Sequence, residues 1–265
     1  MLVKQLHGHS GCEVLLLKKN NILTVRKVAS NKEYNNRILR QMRKQQSFSS
    51  KDFKTPAVHC SGVLLDGRKY FDMDFVNGQT FSSYIERSET ESSLQLFKNI
   101  FDFIAKNNYI DETIEYQIHN KIEEMVLEKR YDIFKQYSLD FDWSQINKSY
   151  CHGDLTFENI LISDRHVYFI DFLDSFSNTA IIDYSKILQD IILGWSWRSK
   201  KTKPYIKTVL MYEYFVDNIS EIEFEAAKRM LVLNVLRILP YSRDVETKNL
   251  IDTNLQFLKR EFINE

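Results

Sequence analysis

The sequence has few of the residues that break or cross-link a chain. It holds seven glycines, three prolines and three cysteines among 265 residues, and neither sign of charge is in excess, with 36 basic and 36 acidic side chains. A chain so poor in glycine and proline, with 13% aromatic residues, has enough apolar surface to offset the entropy of the unfolded chain. Disorder, collagen-like repeats and low-complexity arrays are therefore excluded.

The neutral charge argues against a nucleic-acid partner, because non-specific binding to phosphates needs a surplus of basic side chains. Cys12, Cys60 and Cys151 are too few and too widely spaced for a secreted disulfide scaffold, so reduced thiols are expected. No apolar run approaches the roughly 18 to 20 residues of a spanning helix, and the N-terminus lacks a signal-peptide pattern. We expect no membrane span and a cytoplasmic location.

Residues 1–76 have the pattern of a small, mostly β unit with one helix. Two apolar runs separated by the polar, Asn-rich residues 18–21 predict a β-hairpin. Residues 31–46 carry apolar side chains at helical spacing, which predicts a helix with one buried stripe. A second hairpin is predicted around the turn at Asp66 and Gly67.

Most of the remaining chain is predicted to be helical. The apolar spacing of helices recurs after residue 78, including a long charged stretch at 112–137, and again after residue 180. The exception is the segment 149–172, where two short apolar runs flank a turn and predict a β-hairpin within a helical region.

This embedded hairpin carries the residues that point to chemistry. Residues 152–161 read H-G-D-L-T-F-E-N-I-L, and Ile170-Asp171-Phe172 follows. Asn159 opens the first strand and Asp171 ends its partner, so the hairpin is expected to bring both to one end, together with Asp154 from the preceding loop. Two carboxylates and an amide oxygen are hard ligands that suit Mg²⁺, and a remaining carboxylate can accept a hydroxyl proton.

The pattern resembles the catalytic core of the aminoglycoside phosphotransferase and choline kinase family, the small-molecule branch of the protein-kinase-like fold. The resemblance implies a bilobal α+β fold, with a small β-rich N-terminal lobe over 1–76 and a larger, mostly α-helical C-terminal lobe over 77–265. It implies ATP and Mg²⁺ as cofactors. It also implies that Asp154 is the catalytic base or orients the acceptor hydroxyl, and that Asn159 and Asp171 hold Mg²⁺.

The same resemblance assigns two nucleotide-binding segments to the N-terminal lobe. The small residues of a short loop match a phosphate loop, although the loop lacks a G-x-G-x-x-G pattern, and the end of a later strand matches the hinge that offers backbone groups to adenine. The loop residues are Gly8, Ser10 and Gly11, and the hinge residues are Asp74, Phe75 and Val76.

A cation on the strand at 22–28 is expected to contact the phosphates. Lys27 matches the family's apolar-x-Lys ending, but Arg26 remains a competitor, because alternation along a strand does not say which face meets the nucleotide. Glu33, the first acid of the following helical segment, is the expected partner of that lysine.

Two departures from protein kinases favour a small-molecule acceptor. Gly153 stands where protein kinases usually carry the Arg that reads a phosphorylated activation loop. The stretch from Asp171 to Asp183 is also too short for a segment that docks a peptide. Asp183 resembles the family's structural Asp at the start of the next helix.

The acceptor pocket is expected to use aromatic and charged residues after the hairpin. The candidates are Asp174, Tyr184, Trp195, Trp197 and Arg198. Aromatic and acidic groups suit a cationic amine, whereas tryptophan and polar groups also suit a sugar.

We expect phosphorylation of a small-molecule hydroxyl, and favour a sugar or a glycan or surface-polysaccharide precursor because no acidic run indicates a polycationic acceptor. An aminoglycoside or choline-type amino-alcohol kinase, and a non-catalytic nucleotide-binding scaffold, remain alternatives. ATP and GTP both remain possible donors.

Overall fold

A computed structural model describes residues 1–6, 11–106, 109–164, 166–200, 202–242 and 244–263. Within these residues the strands are β1 (Leu2–Leu6), β2 (Glu13–Lys19), β3 (Ile22–Val28), β4 (Phe53–Lys54), β5 (Val58–Val63), β6 (Lys69–Asp74), β7 (Gln79–Thr80), β8 (Tyr109–Thr113), β9 (Asn147–Ser149), β10 (Ile160–Ser163) and β11 (His166–Phe169). The α-helices are α1 (Asn35–Ser47), α2 (Phe81–Arg87), α3 (Thr90–Ala105), α4 (Glu115–Glu123), α5 (Asp132–Leu139), α6 (Ala180–Ile191), α7 (Tyr205–Asn218), α8 (Glu221–Leu236) and α9 (Val245–Leu258).

The chain forms two compact units, and each is assembled from two separate stretches of sequence. The first unit consists of Met1–Tyr84 and Phe157–Asp174, and the second of Ile85–Thr156 and Ser175–Glu265. The β10–β11 hairpin thus belongs to the first unit. The lobe boundary after residue 76 stays a prediction.

A five-stranded antiparallel sheet, in the order β1-β2-β3-β6-β5, forms most of the first unit. The predicted β2–β3 hairpin is confirmed, and its turn residues Asn20 and Asn21 both have positive φ, at 50° and 63°. Asparagine tolerates this region better than most residues, so it suits a tight turn between twisted strands. Ile38 of α1 packs with Val25 and Phe71 in the core beneath the sheet.

A second sheet of the first unit, in the order β4-β11-β10-β7, holds the β10–β11 hairpin between two short strands. The Phe53 ring stacks on Phe169 with centroids 4.8 Å apart. Gly78 lies so close to β10 that a Cβ there would be 2.7 Å from the carbonyl oxygen of Ile162. The neighbouring elements therefore fix the position of the hairpin.

The second unit has a helical core in which α6 packs on α8. Phe101 of α3, Tyr184 of α6 and Phe215 of α7 form an aromatic cluster with ring centroids 5.3 to 5.5 Å apart. Ser220 caps α8, because its hydroxyl oxygen accepts a bond from the Glu223 N–H at 3.3 Å and so satisfies one N–H of the first turn.

The helical spacing of the long charged stretch at 112–137 predicted a single helix, but the structure shows a break there. It contains the end of β8, then α4 and most of α5, which are joined by a segment with a 3₁₀ turn at Lys129–Tyr131. The Lys135 ammonium donates to the carbonyl of Met125 at 3.0 Å, beyond the end of α4. A side chain thus satisfies a carbonyl group there, which stabilises the break.

No helix within the described ranges is both long enough and apolar enough to cross a membrane. The three cysteines, all within these ranges, form no disulfide.

Candidate functional site

The β10–β11 hairpin places Asn159 beside the end of its partner strand. Ile160 pairs with Phe169, and the N–H of Ile170 donates to the Asn159 carbonyl at 3.0 Å. Asp171 follows at once and has a φ of 61°, in the left-handed region that a non-glycine residue rarely occupies. Such a conformation at the end of a strand is typical of functional positions.

Asp171 forms an ion pair with Lys27, whose Nζ donates to its Oδ1. The Lys27 residue is 3% exposed, whereas the Asp171 side chain is 33% exposed. Burial alone lowers the pKa of Lys27, but the charge and the hydrogen bond of Asp171 outweigh burial and raise the pKa above its ordinary value. Lys27 is therefore a cation throughout the neutral pH range.

The two candidate cations of β3 lie on opposite faces of the strand. Lys27 shares the buried face with Val25. Arg26 instead makes a two-point ion pair with Asp72 of β6, at 2.7 and 2.8 Å, and its guanidinium lies 3.8 Å from the centroid of the Tyr70 ring. The structure thus brings Lys27, and not Arg26, to Asp171.

Glu33 is not brought to Lys27. It is exposed and precedes α1, and it makes no hydrogen bond or ion pair to Lys27 among the described residues. The turn before α1 instead has the Asn31 side chain accepting from the Tyr34 N–H at 2.9 Å. The partner of Lys27 is Asp171, from a part of the chain that sequence spacing could not connect to it.

The predicted phosphate loop is described only at Gly11, since Gly8 and Ser10 lie outside the described residues. Gly11 is exposed and has a φ of 72°, a conformation that favours glycine.

The predicted hinge follows the end of β6. The Asp74 carboxylate faces β5, where it accepts from the Ala57 N–H at 3.2 Å and contacts His59 Nε2 at 2.7 Å. Phe75 packs against the core of the first unit, and Val76 is half-buried. Asp74 therefore contacts the chain at the start of β5 through its side chain and also through its N–H, which donates to the Ala57 carbonyl at 3.0 Å, and the hinge role of residues 74–76 stays a prediction.

The loop that contains Asp154 is held by the first turn of α6 in the second unit. The Asp183 carboxylate, 2% exposed, accepts from the His152 N–H at 2.6 Å and from the Gly153 N–H at 2.8 Å. Gly153 has a φ of 91°, which explains why glycine suits this position. His152 is buried and accepts from the Asp154 N–H at 3.3 Å.

Asp154 has a charged neighbour that the sequence patterns did not reveal. Its Oδ1 lies 3.0 Å from Nζ of Lys186 on α6, and the two side chains are 29% and 13% exposed. The available signal was the spacing on α6, since residues three apart on a helix share a face and Asp183 was already singled out.

The expected acceptor residues do not share one environment. Tyr184 and Trp197, each 2% exposed, are part of the core of the second unit. Trp195 is half-buried, with the Arg198 guanidinium 4.9 Å from its ring centroid. Asp174, in the first unit, pairs with Arg40 at 2.8 Å. Trp195 and Arg198 thus remain together as candidates, whereas Tyr184 and Trp197 have a packing role.

The donors at the hairpin end fit Mg²⁺. Asn159 and Asp171 would supply an amide and a carboxylate oxygen, and the described part of the chain has no group of three or more His, Cys, Asp or Glu residues arranged to hold a metal ion. Mg²⁺ usually takes one or two protein ligands and fills the rest of its octahedron with water and phosphate oxygens. A sparse, hard-oxygen donor set is what such an ion needs.

Comparison with curated proteins gives a partial match. No model of a known protein family matches the chain. Two proteins named Protein LicA, both from Haemophilus influenzae, are 27% identical to it over 144 residues, which cover 46% of this chain and 53% and 42% of those proteins. The chain therefore spans about half the length of the curated relatives that it matches.

Solved structures match over nearly the whole chain. A thermostable mutant of aminoglycoside phosphotransferase APH(4)-Ia has a TM-score of 0.61 at 16% identity, covering 98% of this chain and 91% of that one. Choline kinase LicA from Streptococcus pneumoniae has a TM-score of 0.59 at 13% identity, covering 97% and 93%. Aminoglycoside-3'-phosphotransferase of type VIII has a TM-score of 0.59 at 16% identity, covering 88% and 92%. At these identities the likeness establishes the fold.

The observed α+β architecture agrees with these neighbours. The chain has the protein-kinase-like fold of small-molecule phosphotransferases, which confirms the resemblance predicted from residues 152–172.

Proposed function

We propose that this protein transfers the γ-phosphoryl group of ATP to a hydroxyl group of a small molecule. The observation that carries the proposal is the ion pair between the buried Lys27 and Asp171 beside Asn159. A buried lysine next to a carboxylate at the end of a hairpin is what a kinase-like fold needs to hold phosphates and a metal ion.

Each residue has a defined part in the reaction. Lys27 binds phosphate oxygens of ATP, and Asn159 and Asp171 hold Mg²⁺, which when bound neutralises phosphate charge. The acceptor oxygen forms a bond to the γ-phosphorus, and the bond from that phosphorus to the bridging oxygen breaks. ADP leaves with the electron pair of that bond, and the hydroxyl proton passes to the Asp154 carboxylate.

The nucleotide-binding roles of the other residues belong to the same proposal. Gly11 lies in the proposed phosphate loop, and the backbone from Asp74 to Val76 is the proposed hinge. A structure of APH(4)-Ia contains ADP together with hygromycin B, which supports a nucleotide as one ligand of this fold. Glu33 is left without a direct role at Lys27.

For the acceptor we favour a sugar or glycan precursor. The chain has no net charge, so no overall field attracts a polycation. The ring of Trp195 already contacts the Arg198 cation, so a cationic amine would have to displace this guanidinium to use the ring.

A choline-type amino alcohol is the second candidate acceptor. The likeness to the LicA proteins favours it, and the similar structure from Streptococcus pneumoniae is named a choline kinase. Phosphorylation of choline but of no sugar, in a panel that includes sugars, amino alcohols and aminoglycosides, would establish this candidate and contradict the sugar proposal.

Replacement of the proposed base tests the reaction itself. We expect Asp154→Ala to lower ADP release in the presence of acceptor by about 10²- to 10⁴-fold, because the variant has no positioned proton acceptor. ATP affinity, measured by calorimetry with Mg²⁺, should change little.

Asp140→Ala, which removes an exposed carboxylate at the end of α5, is the control and should retain full turnover. Normal turnover in Asp154→Ala would contradict the role of Asp154. ATP binding by the wild-type protein without turnover of any acceptor would instead indicate a nucleotide-binding scaffold.

A further inference from the structure

Helix α6 holds the Asp154 loop at two points that lie one turn apart. Asp183 accepts from the backbone N–H groups of His152 and Gly153. Lys186, three residues further along, contacts the next residue of the loop through its side chain, with Nζ 3.0 Å from Asp154 Oδ1. Since residues three apart share a helix face, one face of α6 fixes both the backbone of the loop and the carboxylate at its end.

The Lys186–Asp154 pair is partly shielded from water. The two side chains are 13% and 29% exposed, so the attraction is screened less than in an exposed ion pair. A carboxylate can rotate about its terminal bond, and an ammonium group on one oxygen restricts this rotation. The contact to Oδ1 therefore sets the direction of the other oxygen, Oδ2.

We propose that Lys186 is a positioning residue for phosphoryl transfer, which orients the Asp154 carboxylate to receive the acceptor proton. This inference rests on the function proposed above. It assigns a role in the reaction to a lysine that lies on the helix after the hairpin and outside the H-G-D-L-x-x-x-N-I-L segment.

The pKa of Asp154 distinguishes a positioning role of Lys186 from a purely structural one. A positive charge within about 4 to 6 Å of a carboxylate lowers the carboxylate pKa by about 1 to 3 units. His152 on the same loop accepts from the Asp154 N–H, and Asp183 on α6 accepts from the backbone N–H groups of His152 and Gly153. These remain when Lys186 is replaced, so the change in the pKa of Asp154 reports on Lys186.

The chain contains a well-matched control for this substitution. Lys228 on α8 is also 13% exposed on its side chain and pairs with Glu225. Lys186→Met and Lys228→Met each remove a partly buried ammonium group and leave a carboxylate without it. Glu225 keeps its ion pair with Arg229, at 2.6 Å, in Lys228→Met, so this control measures the cost of losing the ammonium group itself.

The experiment compares Lys186→Met, Lys186→Arg and Lys228→Met with the wild-type protein. For each, kcat and the KM for ATP are measured against pH with saturating acceptor, and the carboxyl pKa of Asp154 is measured by carbon NMR, with Asp154→Asn to assign the signal. We expect Lys186→Met to lower kcat by about 10²-fold, as small displacements of a reacting group do, with little change in KM for ATP.

In the same variant, the pKa of the acidic limb of the kcat–pH profile and the pKa of Asp154 measured by NMR should both rise by about one pH unit or more. Lys186→Arg should restore most of the pKa, because it keeps the charge, and part of kcat. If Lys186→Met does not fold, Lys186→Arg still provides a test, because it keeps the positive charge and changes the geometry of the contact to Asp154. An unchanged kcat in Lys186→Arg would contradict the positioning role.

Other results would overturn the inference. If Lys186→Met and Lys228→Met lose stability alike while kcat and the pH profile stay those of the wild type, the pair is structural only. If the wild-type protein and Lys228→Met phosphorylate no acceptor, the proposed function fails. In that case the NMR titration still tests the contact between Lys186 and Asp154, since an unchanged pKa of Asp154 in Lys186→Met would refute it.

Discussion

Single residues of β3 illustrate how strand geometry separates two adjacent cations. Arg26 and Lys27 are neighbours in sequence, but one pairs with Asp72 on the sheet and the other with Asp171 after the hairpin. Because successive side chains of a strand point to opposite faces, the two cations have different surroundings. Only Lys27 is buried beside a residue proposed to hold Mg²⁺.

This difference predicts unequal effects of two matched substitutions. We expect Lys27→Met to weaken ATP binding by about 10- to 100-fold, because a charge-assisted bond to phosphate contributes about 1.5 to 3 kcal/mol. Arg26→Met should leave ATP affinity within about threefold of the wild type, since Arg26 pairs on the opposite face. Calorimetric titration with ATP and Mg²⁺ measures both, and a larger effect of Arg26→Met would assign the phosphate contact to arginine.

The functional residues of the β10–β11 hairpin could be predicted from the sequence, whereas the side chains that contact them could not. Asn159 and Asp171 belong to one local hairpin, so the turn between them was enough to predict their proximity. The choice between Lys27 and Arg26 depends on which face of β3 is buried, and the sequence of that strand alternates without specifying this. The contact of Lys186 with Asp154 joins distant positions, so no local pattern predicted it.

At the level of elements, the β10–β11 hairpin is held by the close approach of the chain before β7. A Cβ on Gly78 would lie 2.7 Å from the backbone oxygen of Ile162, and Ser163 Oγ donates to the Asn77 carbonyl at 2.8 Å. The backbone of β10 cannot move without disturbing its pairing with β7 and β11. Glycine is therefore needed at residue 78 for space.

We expect Gly78→Ala to lower the free energy of unfolding by about 1 to 3 kcal/mol, as overpacking against a fixed backbone does. Gly62→Ala is the matched control, because its Cβ would also meet an atom at 2.7 Å, but that atom is the hydroxyl oxygen of Tyr70. A side chain can move aside, so the control should lose less stability. Urea denaturation measures both, and an equal or larger loss in Gly62→Ala would contradict this explanation.

The secondary structure was predictable where the periodic pattern was long or the turn was distinctive. The β2–β3 hairpin has an Asn-rich turn, and the helices after residue 180 have regular apolar spacing. The short strands β4, β7, β8 and β9 were not predicted, because their sequences lack the apolar runs that mark the equally short β10 and β11. The break between α4 and α5 was also missed, since it depends on contacts such as Lys135 with Met125.

For the whole molecule, the balance of 36 basic and 36 acidic residues bears on how substrates arrive. A molecule without net charge produces little long-range attraction for a charged ligand. Local contacts then determine which small molecule is retained.

We expect kcat/KM for the acceptor, at saturating ATP, to change less than about threefold between about 0.01 M and about 0.15 M ionic strength. Steady-state kinetics over a salt series measures this. A steep fall with salt would show that a local cluster of charge governs acceptor capture, and would favour a charged acceptor over a neutral sugar.

The discontinuous first unit also limits the order in which the protein can fold as it is made. Its second sheet needs β10 and β11, which lie between β4 and β7 in the sheet but come much later in the chain. On the ribosome, Met1–Tyr84 emerges first and must wait until Phe157–Asp174 has been synthesised. The segment Ile85–Thr156 is synthesised in the meantime, so the second sheet of the first unit can be completed only after the first stretch of the second unit has emerged.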